Sequence, residues 1–162
     1  MLTRNLSCAL LGAIMVCSAL PAQGECGLHS VRGTWAMTAL GWATPLQTPE
    51  AGPVPIVMIG VAVIDHTGRM TGPGTAVWGG QVLDYELVDG TVQVNADCTG
   101  TLKYGVKLKG APAPVPGQYI ERMIIIPEKH EMASVSVQSP LSKPMWLTTA
   151  KRISPAPAPV TW

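Results

Sequence analysis

The sequence predicts an all-β protein, a single antiparallel β-barrel of about eight strands joined by hairpins, with a β-sandwich as the second choice. Three observations carry this expectation. Short β-branched and aromatic runs recur at roughly 8–12-residue intervals, each bounded by Gly, Pro, Asn or Asp. No stretch has the pattern of a helix of ordinary length. Charged residues make up only 13% of the 162-residue chain, while Gly and Pro number 17 and 15, a composition that suits short strands and many turns.

Taken in order, Gly33–Leu40 reads as the first strand, rich in β-branched and aromatic residues. Pro45, Pro49, Pro53 and Pro55 then interrupt regular structure, so Ala43–Pro55 is expected to be an extended loop or lid. Ile56–Ile64 is apolar throughout, and its β-branching favours a strand buried on both faces. Asp65-His66-Thr67-Gly68 closes it as a hairpin loop, and Met70–Trp78 is the return strand, bent near Pro73-Gly74. Gly79-Gly80 is a two-residue turn leading into Gln81–Val88. There Leu83, Tyr85 and Leu87 alternate with Asp84 and Glu86.

Asp89-Gly90 reads as a type I′ hairpin turn. Val92 and Val94 then alternate with polar neighbours up to a corner at Asp97–Gly100, where Asp can bond the downstream backbone and Gly tolerates positive φ. Leu102, Tyr104, Val106 and Leu108 form one face of the most regularly amphipathic strand. A Pro-rich loop, Lys109–Gly117, precedes the strand Gln118–Ile126. A polar turn at Pro127–Glu131 separates that strand from the final pair, Met132–Ser139 and Met145–Arg152.

The ends of the chain carry export and tail signals. Met1–Arg4 is a short basic region, Leu6–Leu20 an uncharged apolar run, and Pro21–Gly24 a small-residue site, which together predict a signal peptide over 1–24 cut after Gly24. The apolar run is shorter than the roughly 20 residues of a spanning helix, so no transmembrane segment is expected in the mature chain. The barrel domain is expected over 25–153, and the Pro-rich 154–162 as a disordered tail. Secretion or a periplasmic location follows. Cys8 and Cys17 leave with the signal, so Cys26 and Cys98 remain, most simply as a disulfide, with free thiols or a metal site as alternatives. Eleven basic against ten acidic residues, without a basic stripe or polybasic cluster, point away from nucleic acid and anionic lipid.

Several motifs resemble those of a widespread, largely uncharacterised group of small secreted bacterial proteins. They are Cys26 followed by Gly33-Thr34-Trp35, the hairpin Asp65-His66-Thr67-Gly68, the stretch Gly90–Thr101 with Val94-Asn95-Ala96-Asp97-Cys98-Thr99-Gly100-Thr101, and Ala150-Lys151-Arg152-Ile153 near the end. Val92 stands where that group has Tyr. The resemblance implies a lipocalin-like or allene-oxide-cyclase-like barrel and the paired cysteines, and it carries no active site.

No catalytic signature stands out. His29, His66 and His130 are scattered over an N-terminal loop and two turns, and Glu128, His130 and Glu131 suit a solvated hairpin, so neither a metal site nor a cofactor is expected. The Gly72-Pro73-Gly74 stretch is no phosphate loop, because no helix follows it. Chemistry is instead expected inside the barrel. The ligand-binding candidates are Trp35, Tyr85, Tyr104, Tyr119, Glu121, Met123 and Trp146. Whichever of Glu121 and Arg122 points inward would be an ionisable group in apolar surroundings. Three functions follow: a binder of a small apolar ligand, a cofactor-free cyclase or isomerase using the pocket, or an envelope interaction module with a solid core. The sequence leaves the oligomeric state open.

Overall fold

The computed structural model describes residues 26–155. Its eight strands are β1 (Gly33–Pro45), β2 (Val54–Ile64), β3 (Arg69–Trp78), β4 (Gln81–Val94), β5 (Thr99–Leu108), β6 (Tyr119–Ile126), β7 (Glu131–Gln138) and β8 (Ser142–Ser154). Each pairs antiparallel with its neighbour in sequence, and β8 returns to β1 to close the barrel. Closure leaves no strand at the edge of the sheet. The predicted signal peptide, and all of the tail beyond Pro155, lie outside the described residues.

Alternation decides what faces in. On β6, Tyr119, Glu121, Met123 and Ile125 are all buried, while Ile124 is 60% exposed. On β2, Ile56, Ala62 and Ile64 point into the core, but Val57, Ile59 and Val63 are exposed on the outside. The expectation that this strand is buried on both faces is therefore corrected: among the described residues no second layer covers the outer surface of the barrel. The outward residues Val82, Val77, Val57, Leu40, Leu147 and Val135 are directly paired from β4 round to β7 and form an exposed apolar row.

Asp89-Gly90 is not a hairpin turn. β4 runs through it, and the register slips by one residue against both β3 and β5. This is a β-bulge, with Asp89 at φ 51°. It shifts the inward phase of the strand from Leu83, Tyr85 and Leu87 to Val92, the change of direction that a long strand needs to coil round a barrel. Eight strands result because a strong local turn signal is absorbed into one of them. The Ala43–Pro55 loop is also shorter than expected. β1 extends to Pro45 and β2 begins at Val54, leaving a short connection with one 3-10 turn at Pro49–Ala51. The Gly79-Gly80 turn is as expected, both residues having positive φ, and Gly68 in the β2–β3 hairpin loop also takes a positive φ, 81°.

One end of the barrel is plugged. The four-residue helix α1 (Leu28–Val31) places Val31 in the core, fully buried, and Trp35 beside it donates from Nε1 to the Val31 carbonyl at 2.7 Å. The Arg152 guanidinium lies 4.9 Å from the centre of the Trp35 ring and donates to the Ser30 carbonyl. Cys26 is disulfide-bonded to Cys98 in the β4–β5 corner, with Cα atoms 5.0 Å apart, which fastens the plug to the barrel. In that corner Asp97 accepts from both the backbone and the hydroxyl of Thr99. The residue in the left-handed region is Cys98, not Gly100. Gly100 is small for another reason: a Cβ there would meet the Gln93 carbonyl and the Met123 side chain.

Among the described residues no helix is long and apolar enough to cross a membrane.

Candidate functional site

The period-2 pattern of β6 settles the choice between its two ionisable residues. Arg122 faces outward and donates to the Thr101 hydroxyl at 2.9 Å, and Glu121 is only 2% exposed inside the barrel. Three side chains from three other strands converge on its carboxylate. Tyr104 on β5 donates its hydroxyl to Oε1 at 2.6 Å, Trp146 on β8 approaches Oε1 through Nε1 at 3.4 Å, and Ser134 on β7 donates to Oε2. All three are donors, the arrangement that a carboxylate requires of its surroundings when buried.

Sheet register sets this geometry. Tyr104 is paired with Tyr119 across β5 and β6, and their rings stack with centroids 5.4 Å apart and planes within 5°. Trp146 tilts against Tyr119 at 6.4 Å. Tyr85 reaches the same space from β4 by lying across β3, where a Cβ on Gly74 would run into its ring and a Cβ on Gly60 would sit 3.5 Å from its hydroxyl. The two glycines thus make room for one tyrosine.

These groups face a cavity of about 150 Å³. Its far wall is made of small or flexible residues, Ala39, Met58, Gly60 and Ala76 among them. Val115 of the Pro-rich loop and Leu141 of the β7–β8 turn border it at the end opposite the disulfide. Five of the chain's eight aromatic residues line it: Trp78, Tyr85, Tyr104, Tyr119 and Trp146. Glu121 is the one charged residue among the described lining residues.

The cavity depresses phenol ionisation. Burial pushes Tyr85 up to about 12, with the charge of Glu121 and then Tyr119 adding to it. Burial also holds Tyr104 well above the usual tyrosine range, reinforced by the negative charge of Glu121 and by the hydrogen bond to it. Tyr119 is raised by burial, with Ser139 acting the other way. Two polar atoms on the lining have no partner: the Thr148 hydroxyl and the Trp78 Nε1. Thr148 is 9% exposed and is the cross-strand partner of Ser134, which places it beside the Glu121 cluster.

Of the seven residues expected to bind a ligand, Tyr85, Tyr104, Tyr119, Glu121 and Trp146 come together on the cavity. Trp35 and Met123 do not line it. Trp35 is packed under α1 at the plugged end, and Met123 fills the core below Glu121, against Gly100. Sequence reasoning passed over Ser134, Thr148 and Trp78. Their signal was present as polar or amphipathic residues at inward positions of β7, β8 and β3, alternating with the outward Val135, Leu147 and Val77. His29, His66 and His130 are exposed, and among the described residues no group of three or more His, Cys, Asp or Glu could hold a metal.

The chain matches no protein-family model, and no curated protein or solved structure is found to be similar to it.

Proposed function

We propose that this is an exported protein whose barrel interior binds a small apolar molecule. The single observation that carries the reading is the aromatic cavity of about 150 Å³ with one buried carboxylate on its wall. Mostly apolar walls with a few fixed polar groups are the usual makeup of a small-molecule site. A cavity of about this size holds a benzene-sized guest, so a ligand on the order of ten non-hydrogen atoms suits it better than a long acyl chain. The amino-terminal export pattern and the Cys26–Cys98 bond support an oxidising compartment, secreted or periplasmic. Trp78 and Trp146 on the wall supply the assay. Titration with small aromatic and terpenoid compounds should quench tryptophan fluorescence and raise Tm. If no compound of that size does either, the reading fails.

A cofactor-free cyclase or isomerase is the second reading, favoured by the Tyr104–Glu121 contact of 2.6 Å within a largely apolar space. There Glu121 would take or return a proton while the walls hold a flexible substrate. Tyr104 and Tyr85, both hard to ionise, would serve as hydrogen-bond donors. Conversion of a bound compound, lost in Glu121→Gln, separates this reading from simple binding. The exposed apolar row from Val82 to Val135 favours a surface-interaction role, with a second copy of this chain as the partner. Sedimentation showing a monomer at high micromolar concentration would remove that role.

A further inference from the structure

The walls of the cavity also carry information about the charge of what it holds. Glu121 is buried, yet among the described residues no Lys, Arg or His lines the cavity, so no side chain there supplies a positive charge to the carboxylate. Its three donors are neutral hydroxyl and indole groups. Oε1 has two of them, whereas Oε2 has only Ser134 and retains a free lone pair. The Thr148 hydroxyl, 91% buried and without a partner, stands next to Ser134 across the β7–β8 pairing. Tyr104, Tyr119, Tyr85 and Trp146 line the same space.

We propose that the ligand is a small organic cation, a primary or secondary amine in its protonated form carrying a ring-sized apolar body. This inference rests on the interior being a binding site, and it names the class of molecule bound there. An ammonium group brings the N–H donors that Oε2 and the Thr148 oxygen lack, and its positive charge is matched by the buried Glu121 carboxylate. A carboxylate ligand would meet Glu121 with no cation to hold it, which excludes fatty acids and other organic anions. A neutral hydrocarbon would leave Oε2 and Thr148 as they are and gain nothing from the charge.

The test uses four probes of one shape on the mature, disulfide-bonded protein: benzylamine, benzyl alcohol, benzoate and toluene, each measured by calorimetry and tryptophan quenching at neutral pH. Benzylamine should bind about tenfold or more tighter than benzyl alcohol, the margin expected of a charge-assisted bond over a neutral one. Benzoate should be the weakest of the four. In Glu121→Gln, benzylamine should lose that margin while toluene binds as before. Thr148→Val, a near-isosteric change made in case the first variant does not fold, should weaken benzylamine several-fold and spare toluene. Equal or tighter binding of benzyl alcohol or toluene by the wild-type protein would overturn the cation assignment and leave the cavity reading standing. A benzylamine preference that survives both substitutions would overturn the roles given to Glu121 and Thr148. Failure of all four probes to bind would overturn the cavity reading itself.

Discussion

Replacing Tyr104 with Phe isolates the strongest contact in the cavity. The substitution removes one oxygen and keeps the ring, so the stack on Tyr119 at 5.4 Å is preserved. What is lost is an O–H donor 2.6 Å from Oε1 of a carboxylate that is itself 2% exposed. The remaining contact to that oxygen, from Trp146 at 3.4 Å, is too long to replace it. A hydrogen bond to a charged group is worth about 1.5–3 kcal/mol, and its buried partner is left under-solvated, so a destabilisation of about 2 kcal/mol is expected. In urea, with an m-value near 2 kcal/mol/M, the unfolding midpoint should fall by roughly 1 M. Tyr85→Phe is the internal control, because the Tyr85 hydroxyl is not among the donors to Glu121; it should cost under about 0.5 kcal/mol, as expected where no such bond is lost. If Tyr104→Phe unfolds at the wild-type midpoint with an unchanged m-value, the Glu121 cluster does not stabilise the barrel and its description as a carboxylate held by donors is wrong.

Three further outcomes are expected. Replacing both Cys26 and Cys98 with Ser opens a loop spanning a sequence separation of 72, and the chain-entropy model puts the loss at about 4 kcal/mol; a chemical melt of the double variant that matches the oxidised protein would contradict the plug-and-staple arrangement. Spectrophotometric titration of phenolate should show no tyrosine ionising near pH 10 in the native state. All three native values lie above the unfolded one, so their stabilisation is fully present below about pH 10 and is lost as pH rises through the raised native values, about 12 for Tyr85, and a native transition near 10 would argue against burial of these rings. Ala76→Leu places extra methylenes against the cavity and should raise Tm by a few degrees while abolishing ligand quenching, whereas a lower Tm would mean that the space is smaller than about 150 Å³.

Much of the barrel was legible in residue order because period-2 alternation and turn chemistry are local signals. Leu102, Tyr104, Val106 and Leu108 announced an inward face, and Gly79-Gly80 announced a turn whose both residues take positive φ. Asp89-Gly90 shows where that legibility ends. A hairpin turn and a β-bulge use the same conformational preference, and only the flanking strands, paired across the bulge with Met70 and Gly105, decide between them. The outer face of β2 misled for a related reason. An unbroken apolar run fits a strand covered on both sides, but Val57 and Ile59 are exposed on a surface that no other described residues cover. The aromatic part of the site was readable as side chains sharing a face with their strand neighbours. Thr148 was not, because its importance lies in having no partner, and that is a property of three-dimensional neighbours alone.

The hollow itself argues for use. Leaving about 150 Å³ of the barrel interior without side chains forgoes close packing that would otherwise stabilise the fold. Small inward residues keep it open: Ala39 on β1 and Ala76 on β3 face a wall built from Tyr85, Tyr104, Tyr119 and Trp146, and Gly60 and Gly74 let Tyr85 lie flat against the barrel. Larger aliphatic side chains at Ala39 and Ala76 would close the space by ordinary packing, whereas the plugged end is filled by Val31, Trp35 and Ile64, all almost completely buried. One half of the barrel is therefore packed to stabilise the fold, and the other leaves room beside a buried carboxylate. A fold gains nothing from that asymmetry alone. A bound molecule that fills the space and meets Glu121 and Thr148 would recover both the packing and the unmatched hydrogen bonds.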